Sequence, residues 1–225
     1  MTRKIAFTAI LVTSILLLQY GCKTTEVAKD STDTAKPEAV EKTAVVEKTE
    51  QAPAKVEETK PAAGEKVVIR VNCGNYDGSY TDKAGNVWQA DQDFSAEKKW
   101  GADGGSVISR PGLNIPNTDC PTIYESERYS MDDYKFIVPA GKYTVKLHFA
   151  ETYEGISGVG ERVFSVSING KEALKDVDPY KDAGDFNKPY VKTFNGVEPK
   201  DGQIVIGFTY GVENPQICGI EILSE

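Results

Sequence analysis

Hydrophobic and polar residues alternate along most of the C-terminal two thirds of the chain. The alternation begins at residues 67–73 and returns at 143–149, 164–168, 204–210 and 217–223. A period of two is typical of a β-strand that buries one face and exposes the other. No stretch of this region carries an apolar stripe with helical spacing over ten or more residues. The pattern therefore predicts a domain built almost entirely from short strands.

Turn-forming residues separate the alternating segments. Asn-Gly occurs at 169–170 and 195–196, Asp-Gly at 201–202, and Pro-Ala-Gly at 139–141. Asn-Gly suits a tight two-residue connection between antiparallel strands. Many short strands joined by regular turns indicate an all-β fold, either a β-sandwich or a jelly roll. Residues 67–225 are enough for one domain with its own hydrophobic core.

The start of the chain has the features of a bacterial export signal. Two basic residues precede an apolar run at 5–18, which is too short for an ordinary membrane-spanning helix of roughly 20 residues and suits a signal-peptide core. The sequence LQYGC at 18–22 resembles a lipobox. We expect a lipoprotein signal peptide at 1–21, acylation of Cys22, and a domain held outside the cytoplasm at a membrane of the cell envelope. The alternative is a plain secreted protein or an uncleaved N-terminal anchor.

Residues 22–66 differ sharply in composition from the rest. They consist mainly of Lys, Glu, Thr, Ala, Val and Pro, without an aromatic residue, and Val-Glu-Lys-Thr recurs at 40–43 and 46–49. Such a segment buries too little apolar surface to offset its chain entropy, and its prolines interrupt any helix. We expect a disordered linker that carries the domain away from the membrane.

Charge narrows the range of partners. The formal net charge is −8 and falls on residues 67–225, because acidic and basic residues balance before them. An acidic domain without a basic stripe argues against nucleic acid, since contacts to phosphate need Lys and Arg. Both Trp and nearly all Tyr residues also lie in this part, which is typical of a binding surface or a β core.

The residues do not indicate an enzyme. His148 is the only histidine and lies within a predicted strand, where a structural role is expected, as it is for Glu151. Glycosidases need two carboxyl groups at a defined separation, and no spacing here identifies such a pair. No cofactor is expected.

No metal site is expected either. Zinc needs clustered Cys and His, which the sequence lacks. An acidic run offers oxygen ligands for calcium, but its spacing departs from the EF-hand pattern, and a solvated acidic loop is the default interpretation. The run comprises Asp176, Asp178, Asp182 and Asp185.

Four short motifs at strand-and-loop spacing carry a family resemblance. They are Glu-Arg-Tyr at 127–129, the strand ending in Phe-Ala-Glu at 143–151, Arg-Val-Phe-Ser-Val at 162–166 and Ile-Asn-Gly at 168–170. Together with the strands at both ends of the domain, they resemble the malectin domain family. The resemblance implies a jelly-roll β-sandwich that binds carbohydrate without catalysis. A structural or protein-interaction module is the alternative, because one fold serves several functions, and a glycan-active enzyme is a third hypothesis.

The resemblance also implies ligand-binding residues. A sugar ring has an apolar face and a rim of hydroxyl groups, so its site needs an aromatic platform beside a few polar groups. Glu154 stands where malectin has a Phe, and Glu213 stands where it has an Asp. We therefore expect glycan binding, but we do not expect malectin's preference for a glucose disaccharide. The expected ligand-binding residues are Trp100, Gly101, Tyr129, Tyr153, Glu154 and Glu213.

Two cysteines are predicted to lie close together. By strand alternation Cys73 and Cys218 both point inward, on the first and last strands of the domain, and these strands are neighbours in a jelly roll. A disulfide is possible if their Cα atoms lie within about 7 Å, although free thiols are the stronger expectation. Cys120, in a loop rich in Pro and Asn, is then the odd thiol.

Overall fold

The structure, a computed structural model, describes residues 66–225. The predicted signal peptide, Cys22 and almost all of the predicted linker lie outside the described residues. Two helical turns and twelve strands make up the described part. Neither helix has the length and the apolar composition that crossing a bilayer requires. The elements are β1 (Val68–Asn72), β2 (Tyr80–Thr81), β3 (Val87–Ala90), β4 (Trp100–Ser109), a 3₁₀ turn (Pro121–Tyr124), β5 (Ser126–Ile137), β6 (Tyr143–Phe149), β7 (Val163–Ile168), β8 (Lys171–Val177), α1 (Pro179–Ala183), β9 (Tyr190–Val197), β10 (Gln203–Val212), β11 (Gln216–Ile217) and β12 (Gly219–Ser224).

The strands form two sheets that face each other, which confirms the predicted β-sandwich. The first sheet has the order β2-β3-β1-β12-β6-β9, and the second has the order β11-β5-β10-β7-β8, with β4 also paired to β5. Neighbouring strands are antiparallel, except that β1 and β3 run parallel. The first and last long strands, β1 and β12, lie side by side at the centre of the first sheet.

Alternation along the strands places the core as the sequence predicts. On β6, Val145, Leu147 and Phe149 are fully buried between the sheets, whereas Lys146 points to the outer face. On β10 of the second sheet, Ile204 and Ile206 are likewise buried in the core between the sheets. A smaller apolar cluster, which includes Trp88, Ile123, Tyr124 and Cys218, lies apart from this main core.

The two cysteines are neighbours in the backbone but not in their side chains. The amide of Cys73 donates a hydrogen bond of 2.9 Å to the carbonyl of Cys218, which confirms that these segments adjoin. Cys218 falls in the break between β11 and β12, so its side chain joins the smaller cluster while that of Cys73 joins the main core. Both thiols are free and buried, and burial raises their pKa. The expectation that both side chains share one inward face was therefore wrong.

A buried ion pair joins four segments of the chain. The Oδ2 atom of Asp91 accepts hydrogen bonds from the Gly74 amide (2.7 Å), from Arg128 Nε (2.9 Å) and from the Tyr134 hydroxyl (2.9 Å). Arg128 also donates to the carbonyl of Gly104 at 2.8 Å. Gly74 has a φ of +81°, and a Cβ there would collide with the backbone of Glu127. The pair thus fastens the loops after β1 and β3 to β4 and β5.

A second ion cluster lies on the outer face of the first sheet. Glu221 of β12 accepts from Arg70 Nε of β1 at 2.8 Å, and its other oxygen lies 3.1 Å from His148 Nε2 and 3.4 Å from Lys146 Nζ of β6. The Nδ1 atom of His148 lies 2.9 Å from the hydroxyl of Tyr124. His148 is buried and bonded through both ring nitrogens, which confirms the expected structural role.

We predict that removing the Asp91 carboxylate strongly destabilises the domain. Asp91→Ala leaves the guanidinium of Arg128, which is 2% exposed, with only the exposed carboxylate of Asp93 as a charged partner, and breaking a buried pair costs about 3–5 kcal/mol. Urea unfolding of the two proteins measures the loss. Asp77→Ala is the control, because Asp77 is exposed, and it should change the free energy of unfolding by less than about 0.5 kcal/mol. Equal losses in the two variants would contradict the anchoring role.

We predict that the contribution of Glu221 to stability is lost in acid. Burial alone raises the pKa of Glu221, but the hydrogen bond and charge of His148, the charge of Lys146 and the hydrogen bond from Arg70 lower it to about 2. Because the folded pKa lies below the ordinary value of 4.5, the ionised group stabilises the fold above about pH 4.5 and loses this effect as the pH falls towards 2. The difference in free energy of unfolding between wild type and Glu221→Gln should therefore shrink by roughly 3 kcal/mol from pH 6 to pH 2. A difference that is constant over this range would contradict the lowered pKa.

Candidate ligand-binding cleft

A cleft of about 270 Å³ opens at one end of the sandwich. Its walls come from the segment that follows β6, from the loop between β10 and β11, from the end of β4 and from β5. We call this the rim cleft. It is lined by Ile108, Arg110, Glu127, Tyr129, Tyr153, Arg162, Glu213 and Asn214.

Tyr153 offers the most exposed aromatic ring of the rim cleft. It lies just beyond β6 and is 46% exposed, and its amide donates to Oε1 of Glu151 at 3.0 Å. The guanidinium carbon of Arg110 lies 5.8 Å from the ring centroid. The ring also lies against Gly155. A Cβ added to Gly155 would be 2.5 Å from Cζ and 2.8 Å from the hydroxyl oxygen of Tyr153. The ring therefore lies close over Gly155, and a glycine is needed there to let it do so.

Tyr129 and Glu213 face the same space from other segments. Tyr129 is half-buried on β5, opposite Gln216 of β11. Glu213 has a φ of +56°, a left-handed conformation that is uncommon for a residue other than glycine and occurs often at functional sites. Its Oε1 atom accepts a hydrogen bond of 2.8 Å from the side-chain amide of Asn214. The structure thus brings together three of the predicted ligand-binding residues.

Two buried ion pairs hold the base of the rim cleft. Arg162 Nε donates to Oε2 of Glu151 at 2.7 Å, and its Nη1 donates to the carbonyl of Asn214. Glu151 is fully buried, which confirms the structural role expected for it. Arg162 therefore ties the segment after β6 to the loop that carries Glu213.

The second pair lies beside the first. Arg110 Nη2 donates to Oε1 of Glu127 at 3.3 Å, and Nη1 donates to the hydroxyl of Thr152 at 3.1 Å. Burial raises the pKa of the Glu127 carboxyl, although Arg110 and Arg162 act in the opposite direction. The arrangement therefore places Arg110 between the buried base and the exposed ring of Tyr153.

Trp100 and Gly101 do not reach the rim cleft. They begin β4, whereas Ile108 of the cleft is near its end, and a ten-residue strand spans about 30 Å. Trp100 is only 8% exposed, and its ring stacks on Phe136 with centroids 6.2 Å apart. Gly101 is buried against the backbone at Phe94. The expected convergence of Trp100 with the other aromatic residues is therefore not observed.

Glu154 is exposed in the turn next to Tyr153 but does not line the cleft. Conversely, the structure adds five lining residues that the sequence did not mark as ligand-binding: Ile108, Arg110, Glu127, Arg162 and Asn214. Glu127 and Arg162 begin the motifs at 127–129 and 162–166, and Asn214 follows the predicted Glu213, so a local sequence signal existed for these three. Arg110 had none, because only the pairing of β4 with β5 brings it near Glu127.

Two residues of the acidic run that had suggested calcium have other partners. Asp178 is the N-cap of α1, where Oδ1 accepts from the Lys181 amide at 3.0 Å. Asp185 forms an ion pair of 3.3 Å with Lys188. Within residues 66–225, no group of three or more His, Cys, Asp or Glu side chains is placed to hold a metal ion.

The sequence matches the Malectin domain family over residues 67–220. The chain belongs to the malectin domain family. This family is a carbohydrate-binding type of domain and is non-catalytic. Malectin-A of Xenopus laevis is 26% identical over 132 residues, which cover 50% of this chain and 47% of that protein. Malectin of Danio rerio is 26% identical over 175 residues, which cover 71% of this chain and 59% of that protein. The chain thus spans about half the length of these relatives.

Solved structures share the fold. A β-glucuronidase of Bacteroides uniformis aligns with a TM-score of 0.62 at 23% identity, over 71% of this chain and 18% of that protein. The complex of the plant peptide RALF23 with FER and LLG2 aligns with a TM-score of 0.60 at 19% identity, over 71% of this chain and 48% of the matched one. At these identities the likeness concerns the malectin-type sandwich alone.

Proposed function

We propose that this malectin domain binds a carbohydrate in the rim cleft. The observation that carries the proposal is the exposed ring of Tyr153, held between Arg110 and Gly155 beside the polar groups of Glu213 and Asn214. A pyranose stacks its apolar face on such a ring and gives its hydroxyl groups to the neighbouring side chains.

The charges of the rim cleft favour a neutral polyol. Arg110 and Arg162 contribute two positive charges, and Glu127 and Glu213 contribute two negative ones. Three of these groups already have a charged partner in the protein. The half-buried carboxylate of Glu213 has none, and its Oε2 is the main hydrogen-bond acceptor left for a ligand, because Oε1 accepts from Asn214. Carboxylates accept strong hydrogen bonds from hydroxyl groups.

The size of the cleft limits how much of the ligand it encloses. Its volume of about 270 Å³ lies just below the range of roughly 300–1,000 Å³ that encloses a drug-sized molecule. We infer that the cleft holds one sugar ring, or part of two, while the remainder of an oligosaccharide or polysaccharide extends into solvent. The absence of glycan binding on an array of oligosaccharides would instead favour the protein-interaction hypothesis.

We also propose that the domain is displayed outside the cytoplasm on a lipid anchor at Cys22. The support is the apolar run at 5–18 followed by LQYGC at 18–22. Burial of acyl chains in a bilayer contributes about 0.8 kcal/mol for each methylene. Cys22→Ser should therefore move the protein from the detergent phase to the aqueous phase in phase partitioning. A Cys120→Ser variant is the control and should partition like wild type. Unchanged partitioning of Cys22→Ser would contradict the anchor.

We predict that the position of the Tyr153 ring, and not only its presence, determines affinity. Tyr153→Ala removes an aromatic anchor worth about 1–3 kcal/mol, so binding weakens about tenfold or more. Gly155→Ala keeps the ring but displaces it, because the new Cβ needs the space of Tyr153, and it should also weaken binding. The measurement is calorimetric titration with a glycan selected on the array.

Gly158→Ala is the matched control in the same loop. A Cβ there meets Glu161 Oε1 at 3.6 Å, an ordinary contact, so the affinity should equal that of wild type. Thermal melting of all three variants should stay close to wild type, because an exposed loop side chain contributes little to stability. Equal affinities in wild type and Tyr153→Ala would place the glycan site elsewhere on the sandwich.

A further inference from the structure

The second half of β4 forms an open edge of the second sheet. One side of β4 pairs with β5 along its whole length. On the other side, Ala102 exchanges hydrogen bonds with the segment before β4, because its amide donates to the carbonyl of Gln92 at 3.0 Å and its carbonyl accepts from the amide of Phe94 at 2.8 Å. After a bulge between Asp103 and Gly104, every residue up to the end of the strand is exposed. Within residues 66–225, no strand pairs with this side of residues 106–109, which we call the β4 edge.

The backbone groups of Val107 and Ser109 point away from β5. In an antiparallel pair, hydrogen-bonded and non-hydrogen-bonded positions alternate along each strand. The amide of Arg110 donates to the carbonyl of Glu125 at 2.6 Å, so Arg110 and Ile108 take the hydrogen-bonded positions towards β5. Val107 and Ser109 take the other positions, and their N–H and C=O groups are therefore directed to the open side, where a further strand can pair with them.

The other strands at sheet edges of the described domain are protected against such pairing. Two of them, β2 and β11, have only two residues each. Four of the seven residues of β8 are charged, and β9 carries Lys192, whose ammonium lies 5.0 Å from the ring centroid of Tyr190. Short length and charged side chains, lysine above all, are the usual protections of a sheet edge. The β4 edge has neither: it reads Ser-Val-Ile-Ser, and the side chains of Val107 and Ile108 are 37% and 38% exposed.

We propose that the β4 edge pairs with the same edge of a second copy of this chain. The pairing is antiparallel about a two-fold axis at Ile108, so Val107 of each copy exchanges hydrogen bonds with Ser109 of the other, and Ile108 lies directly opposite its equivalent. This register is self-complementary, as a two-fold interface requires. It places Arg110 opposite Ser106, so it brings no like charges together. The contact is smaller than that of permanent dimers, and association should therefore depend on concentration.

Pairing at the β4 edge brings two rim clefts side by side. Ile108 and Glu127, its partner on β5, both line the rim cleft, and residues directly opposite on neighbouring strands point to the same face of a sheet. The clefts of the two copies therefore open on the same face of one continuous sheet. Their β5 strands lie three strand spacings, or about 14 Å, apart, so one polymeric glycan can enter both clefts. This bridging rests on the proposed function of the rim cleft, whereas the pairing itself does not.

A cysteine at the two-fold axis tests the pairing in the full chain. Ile108→Cys places two thiols opposite each other, with Cα atoms within the limit of about 7 Å for a disulfide, so oxidation of cells that produce the chain should give a covalent dimer on a non-reducing gel. Three native cysteines are buried: Cys73, Cys120 and Cys218. Val191→Cys is the matched control and should stay monomeric, because Val191 is an exposed β-branched residue of β9. No dimer from Ile108→Cys, an equal yield from the control, or a disulfide to a different protein would overturn the proposal.

Charges at the axis provide a second test that needs no oxidation. Ile108→Lys and Ile108→Glu each place two like charges directly opposite, which destabilises a strand pair, whereas a mixture of the two places opposite charges there. In sedimentation of the detergent-solubilised full chain, each variant alone should dimerise about tenfold more weakly than wild type, and the equimolar mixture should recover most of this loss. Melting curves check that both variants are folded. Folded variants that dimerise as wild type does, or a mixture no better than its components, would overturn the proposal.

The covalent dimer separates pairing from glycan bridging. Reduced and oxidised Ile108→Cys have the same cleft residues and differ only in their linkage. The oxidised form should bind a polymer of the glycan selected on the array about tenfold more tightly or better, because the second cleft binds at a high effective concentration, and it should bind a single unit of that glycan equally. Equal binding of the polymer would overturn the bridging. A wild type that binds no glycan would instead overturn the proposed function of the rim cleft, and the disulfide result would still decide the pairing.

Discussion

The ion pair between Asp91 and Arg128 is the constraint on which the rest of the domain depends. Both side chains are almost completely buried, and such a pair offsets its desolvation only when good geometry and further hydrogen bonds satisfy it. Here Gly74 and Tyr134 supply those bonds to the carboxylate, and the carbonyl of Gly104 accepts one from the guanidinium. The loops that follow β1 and β3 are thereby held against β4 and β5.

The Asp91–Arg128 ion pair also positions the rim cleft, because the two residues next to Arg128 in the chain line this cleft. Side chains alternate along a strand, so Arg128 points to Asp91 while Glu127 and Tyr129 point to the cleft. Three consecutive residues of the Glu-Arg-Tyr motif therefore supply both the buried ion pair and part of the wall of the rim cleft. A shift of β5 by one residue would exchange the two faces and remove both the ion pair and the cleft.

Loops form much of the rim cleft, and ion pairs at its base hold these loops in place. Arg162 links Glu151 to the carbonyl of Asn214, and Arg110 links Glu127 to Thr152. Binding sites gain affinity when their side chains are already ordered, since less conformational entropy is lost on association.

The sequence by itself determined five of the twelve described strands (β1, β6, β7, β10 and β12), the inward faces of these strands, and three residues that line the rim cleft. Strand periodicity is local, and the residues that carry it, such as Val145 and Leu147, are adjacent in the chain. Tyr129, Tyr153 and Glu213 were also found from short motifs. The same motifs supported the malectin family and, through it, the sandwich.

Only the tertiary structure decided which distant residues meet. Trp100 was expected at the cleft, but the length of β4 carries it to the other end of the sheet and into the core. Cys218 departs from the alternation because the break between β11 and β12 turns its side chain away from that of Cys73. Arg70, Lys146 and Glu221 form one ion cluster on the outer face of the first sheet only because three strands distant in sequence pair in a particular register. Register is set by packing and hydrogen bonding across the whole sheet, and no local pattern in the chain encodes it.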